Sequence, residues 1–394
     1  MKQLGAKVNL VVCQKSKIDD WIEHFEENYP DYITYDLTEK SHMEIFMSTQ
    51  IYPMNKVAIG VINYDLVWRR PELKQLHDFT LLLDESSLIQ NETTKRTKYI
   101  MKLNYSNLIL LSGTPTGGKY EKLYSQLKML GYDVTKKSFY NMYVNYHYDN
   151  RQGFPLMIID GYKNVERLKR KMRDYGCSFL KTEEVLNLPE QNFIPVKVKT
   201  SKEYKYFMKH KIVRVGLTAN NYVQDAFDLL GDTALTKLLY ARKLCGAYND
   251  EKLKAFSDLV ESTNDRLIVF YNFNNELVQL KCVCDALERP CSVVNGQDKD
   301  LYAYENFNDS VTLIQYQAGA MGLNMQKANK IIYFTPPLSS ELYEQSKKRI
   351  HRMGQERPCF YYNLICIGSV EEKIYDTLAM RKDYTEVLFE KEGE

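Results

Sequence analysis

Short apolar runs separated by polar, helix-like stretches set the pattern of this chain. Residues 8–13, 57–62, 80–83 and 108–111 are nearly unbroken in hydrophobicity, which is how strands covered on both faces of a parallel sheet read. The last third repeats the style at 266–270, 291–294, 311–315, 331–334 and 360–365. From about 119 to 254 strand signals thin and helical spacing dominates, as at 165–175 and 234–244. Apolar strands alternating with helices predict two α/β sheets with a helical stretch between them. No long repeat or low-complexity tract is visible in the sequence.

Length and composition narrow the class. A chain of 394 residues has room for about two or three domains, and 44% hydrophobic with 26% charged residues is ordinary for a globular protein. Lys+Arg 53 against Asp+Glu 51 leaves a formal charge of +2, so nucleic-acid affinity has to come from local patches. One such patch is the run holding Lys163, Arg167, Lys169, Arg170, Lys171 and Arg173; it serves either as a phosphate-tracking surface or as a plain solvated face. The eight cysteines show no metal-ligand spacing, and with no signal peptide predicted, a reduced, cytoplasmic setting without disulfides is expected. No apolar stretch approaches the roughly 20 residues a membrane helix needs. Tyrosine is abundant, 31 against 16 phenylalanines, with no functional reading attached.

Three constellations carry candidate chemistry. In the run 344–355, Gln345 to Arg349 is a four-residue step and Arg349 to Arg352 a three-residue step, which on a helix places all three side chains on one face. Arginine forks donate to two phosphate oxygens and neutralise charge as a terminal phosphoryl group leaves; a solvated basic helix shows the same letters. The strand 80–83 ends in Asp84 and Glu85. Ligands gather at the carboxyl ends of strands in open parallel sheets, where Asp84 suits Mg2+ and Glu85 suits water activation, although such a pair also caps helices. The strand 108–111 runs into Ser112-Gly113-Thr114-Pro115, whose hydroxyls can bond across to the carboxylates or simply make a turn.

Two further segments need weighing. Residues 113–119 fit the first seven positions of G-x-x-x-x-G-K-[ST], but Tyr120 stands where the Mg2+-binding hydroxyl belongs and Pro115 removes a backbone N–H, which argues against a phosphate loop there. The run 314–324 follows a strand with Gly319, Gly322 and Asn324, types that permit close backbone approach to a ligand and a hydrogen bond to a ribose.

In order, these pieces resemble the Snf-type DNA translocases, the chromatin-remodeller-like branch of helicase superfamily two. Val11-Val12-Cys13-Gln14-Lys15-Ser16 with Trp21 and Phe25 is similar to the family's second motif, and Ile62-Asn63-Tyr64-Asp65 to the next. Asp84-Glu85-Ser86-Ser87, Ser112-Gly113-Thr114-Pro115, the 180–189 link, the 319–324 loop and Q-x-x-x-R-x-H-R-x-G-Q from Gln345 to Gln355 follow in the family's order. Several short motifs in sequence are specific evidence.

The resemblance implies an α/β fold of two RecA-like parallel-sheet lobes, the first incomplete, with a helical insertion between them. The expected domains are 1–135 for the first lobe, lacking its Walker A strand, loop and helix; 136–250 for the mainly helical insertion and linker; and 251–394 for the second lobe with the arginine-finger motif and C-terminal helix. It implies ATP and Mg2+ as cofactors, Asp84 as the metal ligand, Glu85, Arg349 and Arg352 as catalytic groups, and Gln345, Gly322 and Asn324 as nucleotide-binding residues. Ser112 and Thr114 would couple the site to motion. Gln14, Lys15, Ser16, Tyr64, Gln315 and Tyr316 would face DNA, expected to be double-stranded and read without regard to sequence, and no membrane partner is expected. Because no complete G-x-x-x-x-G-K-[ST] occurs, the expectation is a fragment whose upstream-encoded segment supplies Walker A; the alternatives are one half of a split motor or a nucleotide-silent DNA-binding remnant.

Overall fold

In the computed structural model the four nearly unbroken apolar runs of the first third lie in one parallel sheet, together with a fifth strand, Tyr32–Asp36, that no such run announces. Its strands are β1 (Val8–Cys13), β2 (Tyr32–Asp36), β3 (Val57–Asn63), β4 (Phe79–Leu83) and β5 (Asn107–Leu110), in the order β2-β3-β1-β4-β5 with every pairing parallel. The structure describes residues 1–51, 55–150, 155–179, 187–216, 218–219, 222–223, 227–319 and 323–389. Strands β1 and β4 are buried at every position, the physical reason their sequences carry no polar alternation. Gly60 in β3 is required by close approach: a Cβ there would lie 2.6 Å from Leu37 Cδ1 and 2.8 Å from Phe46 Cζ.

Two units make up the chain, Met1–Phe179 with Lys382–Glu394, and Leu180–Arg381. Beyond its sheet, the first unit holds the helices Leu123–Met129, Lys136–Tyr143 and Val165–Asp174 and an antiparallel hairpin of β6 (Val144–Asp149) and β7 (Leu156–Tyr162). An aromatic core of Tyr120, Tyr124, Phe139 and Tyr143 with Leu127, Leu168 and Met172 joins them.

The second unit adds β8 (Gln191–Val198), β9 (Ile212–Val215), β10 (Thr218–Ala219), β11 (Tyr222–Val223) and β12 (Phe227–Leu230), then β13 (Leu267–Tyr271), β14 (Cys291–Val294), β15 (Val311–Gln315), β16 (Lys330–Tyr333) and β17 (Cys359–Cys366). Its main sheet runs β14-β15-β13-β16-β17-β8, all parallel. Leaving β8 aside, both sheets place their strands second, third, first, fourth, fifth. The two halves therefore repeat one topology that no sequence repeat announces, and each has the RecA-like, two-faced parallel-sheet core.

The segment 136–250, expected as mainly helical, does hold the helices Lys136–Tyr143, Val165–Asp174, Lys202–His210 and Ala234–Cys245, yet it also carries β6 to β12. Strand β8 escaped notice because its burial alternates and Pro195 interrupts it, as an edge strand permits. A buried ion pair closes the second unit: Lys252 Nζ lies 2.6 and 2.7 Å from the two oxygens of Glu371, tying helix Asp250–Glu261 to the start of helix Val370–Phe389. Cys245, Cys366 and Glu371 cluster there with metal-ligand reach, but the Lys252 ammonium already supplies the cation. All eight cysteines are free thiols. Among the described residues no helix is long and apolar enough to cross a membrane.

Candidate nucleotide site

In the first unit the carboxyl ends of β1, β3, β4 and β5 converge on Asp84 and Glu85. The Asp84 N–H donates to the Val12 carbonyl at 2.9 Å, so the residue continues the β4 ladder before the chain turns. Its Oδ2 accepts a 3.0 Å hydrogen bond from the Trp21 indole, and Trp21 is itself stacked on Phe25, with ring centroids 5.6 Å apart. Glu85 adopts the left-handed conformation, φ 54 and ψ 57, which costs a non-glycine residue about 1–2 kcal/mol. Strain of that kind persists where the surroundings over-determine it.

Those surroundings are visible. Glu85 Oε1 accepts from the Ser112 hydroxyl at 2.9 Å and the Ser87 hydroxyl at 2.8 Å, and the Thr114 N–H donates to Ser112 Oγ at 3.2 Å. The turn after β5 is thus connected to the carboxylate strand. Glu85 stands before the short 3-10 helix Ser86–Ile89 but makes no side-chain cap bond, so the capping alternative does not describe it. Thr114 is buried and its Oγ1 has no hydrogen-bond partner among the described residues. Sequence reasoning passed over the clamp that holds this turn: Gln90 and Gln126 both donate to the Pro115 carbonyl, at 3.0 and 2.9 Å, and Ser86 donates to Gln126 at 3.0 Å. Glutamines dispersed along a chain give no local signal.

The loop 113–119 folds on itself. The N–H groups of Gly118 and Lys119 go to Thr116, both at 3.0 Å, and Tyr120 is buried against Tyr162 with centroids 4.3 Å apart. The core claims the position a Mg2+-binding hydroxyl would need.

Among the expected DNA-facing residues of this unit, Lys15 and Ser16 are exposed and Gln14 is half-buried at the start of the turn Lys15–Lys17. Tyr64 requires a correction. It is buried at 2% exposure and its hydroxyl donates to the Asp84 carbonyl at 2.9 Å; burial, then the Asp84 and Glu85 charges, hold its phenol well above the ordinary value. Burial and Asp84 likewise push the Cys13 thiol up to about 12, so it stays protonated.

In the second unit, helix Ser340–Lys347 carries Gln345 in its last turn and then stops. The single helical face expected for Gln345, Arg349 and Arg352 is therefore corrected: Arg349 lies in the following turn and Arg352 in a bend. The cause is packing. Ile350 is fully buried, Gln355 Nε2 donates to the Ala328, Gln326 and Ile350 carbonyls at 2.8, 3.2 and 3.2 Å, the His351 ring donates to the Pro189 carbonyl at 2.9 Å, and Gly354 turns the chain at φ 90.

The same bend brings the two late motifs together, because the Arg352 guanidinium donates to Asn324 Oδ1 and the Met325 N–H to the Arg349 carbonyl at 3.1 Å. Gln315 donates to the Asn272 carbonyl at 3.2 Å. Tyr316, expected at a DNA-facing position, is corrected as Tyr64 was: it is buried at 3%, with its hydroxyl on the Thr335 carbonyl at 3.0 Å. Gly322 and residues 180–186 lie outside the described residues.

The chain is similar to known proteins over most of its length. The SNF2-related domain family model matches residues 2–249, and that of the helicase conserved C-terminal domain matches residues 251–354. A Bacillus subtilis protein, YwqA, provisionally named an ATP-dependent helicase/translocase, is 24% identical over 82% of this chain and 37% of its own length. The mouse SWI/SNF-related matrix-associated actin-dependent regulator of chromatin subfamily A member 1 is 22% identical over 93% of this chain and 37% of its own. The RAD54-like DNA repair and recombination protein of Drosophila persimilis is 22% identical over 79% of this chain and 46% of its own. This chain thus spans about two fifths of the length of these relatives. The solved C-terminal part of the Fun30 ATPase domain aligns at 14% identity and TM-score 0.36, covering 52% of this chain and 98% of that one.

Proposed function

Because the chain belongs to the SNF2-related family, we propose that it is the motor portion of a Snf-type, ATP-dependent DNA translocase. The observation that carries the reading is the hydrogen bond from Ser112 to Glu85, which links the candidate base to the turn that would move with the nucleotide state. The Asp84 side chain offers the hard oxygen donor that Mg2+ takes, usually through one or two carboxylates with phosphates and water completing the shell. When bound, Mg2+ and ATP supply a terminal phosphoryl group with part of its charge neutralised.

The chain's own residues do the rest in this proposal. Trp21 orients the Asp84 carboxylate, and Glu85, fixed by Ser112 and Ser87, positions the attacking water and takes its proton. Asn324 holds the Arg352 fork in one orientation, and Arg349 and Arg352 neutralise charge on the departing phosphoryl group, with Gln345 and Gly322 contributing to nucleotide binding. Closing and opening of the lobes around ATP would step the exposed Lys15 and Ser16 along a duplex, by backbone contacts that carry no sequence information.

Phosphate release with and without duplex DNA tests the reading, repeated with Glu85→Gln. DNA-stimulated turnover that vanishes in the variant is expected; turnover that survives in Glu85→Gln refutes the role of the carboxylate. Duplex binding with no phosphate release, with or without DNA, would instead select a DNA-binding module without turnover of its own.

A further inference from the structure

The basic run 163–174 plays no part in the site described above. Six lysines and arginines stand there against two carboxylates, an excess of four charges (6 − 2) in a chain whose formal total is +2. In the structure it forms helix Val165–Asp174, whose Leu168 and Met172 are buried in the aromatic core of the first unit. Lys163, Arg167 and Arg170 are exposed, and their steps of four and three residues keep the two arginines on one helical face with the lysine just before it.

Both local carboxylates are already engaged, Glu166 with the buried Lys169 at 3.1 Å and Asp174 with Lys171 at 3.0 Å. Among the described residues, none of Lys163, Arg167 and Arg170 has an ion-pair partner. A surface of this kind is uncompensated charge waiting for a polyanion. The helix turns its large apolar side chains inward, leaving nothing to insert into lipid, so the chemistry fits a phosphate backbone better than a membrane.

We propose that this face is a second, sequence-independent phosphate contact for duplex DNA, carried by the first unit in addition to the Gln14–Lys15–Ser16 turn. The proposal rests on the translocase reading, which supplies duplex DNA as the partner. Its test is binding of the full chain to a labelled duplex of about 30 base pairs over about 50–200 mM salt, with wild type, Arg167→Glu/Arg170→Glu and the neutral Arg167→Gln/Arg170→Gln compared, and circular dichroism checking that each is folded. Two lost contacts should lower the slope of log affinity against log salt by about 1.8 in the neutral variant and weaken binding about tenfold or more at the lowest salt. The reversed variant should fall further, and a scrambled duplex should behave as the original does.

Equal slopes and affinities for wild type and both variants would overturn the proposal while leaving the translocase reading intact. A wild-type chain that binds no duplex at all would sink both. Loss of binding to vesicles rich in phosphatidylserine, with duplex binding unchanged, would assign the face to a membrane and overturn the proposal in that direction.

Discussion

Glu276 should make the second unit less stable as pH rises, and one substitution should abolish that slope. The carboxyl is fully buried. Its Oε2 accepts from the Asn272 N–H (2.8 Å), the Phe273 N–H (3.1 Å) and the Thr335 hydroxyl (3.0 Å), while Oε1 faces Gly246, where an added Cβ would come within 2.1 Å. Burial raises the carboxyl from 4.5 to about 7 despite those donors. A raised acid binds more protons folded than unfolded, so its contribution is fully present below about pH 4.5 and is lost as pH climbs through about 7. At about 1.4 kcal/mol per pH unit the gap is worth about 3 kcal/mol. Glu276→Gln keeps the shape and an acceptor for the Oε2 donors, but never ionises. Urea unfolding of both proteins at pH 5, 6.5 and 8 should show the variant gaining on wild type with pH and exceeding it at pH 8. Other buried acids, such as Glu371, cancel in the comparison. Parallel stability curves, or a variant that is weaker at every pH, would refute the assignment.

Two other substitutions probe the site and the core. Ser112→Ala removes a hydrogen bond to a carboxylate, a loss of about 1.5–3 kcal/mol; DNA-stimulated phosphate release should fall about ten- to hundredfold with duplex affinity unchanged, and a parallel loss of affinity would contradict the coupling role. Lys252→Met strands a buried Glu371 and should cost about 3–5 kcal/mol in an unfolding titration, most of it recovered in Lys252→Met/Glu371→Leu; a double variant no better than the single one would show that the pair is not the source of the loss.

What could be seen in the letters follows from how each element is buried. Strands β1, β14 and β15 have the boundaries their apolar runs predict, because nearly continuous burial leaves a mostly apolar run with only an occasional polar residue such as Asn9, Ser292 or Thr312. The edge strand β8 and the hairpin β6–β7 alternate or mix polar groups, and nothing local separates them from helix or loop. At the site, Asp84, Glu85 and Ser112 were legible because a strand end and a following turn are adjacent in chain and space. The Gln90–Gln126 clamp and the stop at Lys347 were not, since each depends on contacts with residues distant in sequence. The Arg349–Arg352 step is a helical spacing that tertiary packing overrode.

The tyrosine bias, which had no reading in composition alone, acquires one from the repeated topology. In each unit the tyrosine immediately after the third strand turns inward: Tyr64 after β3 and Tyr316 after β15. Each reaches past the first strand, β1 or β13, to a carbonyl just beyond the fourth, Asp84 after β4 and Thr335 after β16. Phenylalanine would fill the same space but leave the Asp84 carbonyl without its donor and the Thr335 carbonyl with the Asn272 amide alone. At the carboxyl edge of a parallel sheet, where ladders end and ligands gather, a buried carbonyl without a partner costs about 1–3 kcal/mol. A core aromatic that also donates a hydrogen bond meets both demands. Tyr361 does the same for the Lys347 carbonyl and Tyr99 for that of Arg70. An aromatic beside a helicase-like motif therefore reads as a nucleic-acid contact from sequence, while in three dimensions it is the anchor that fixes the backbone on which Asp84 is displayed.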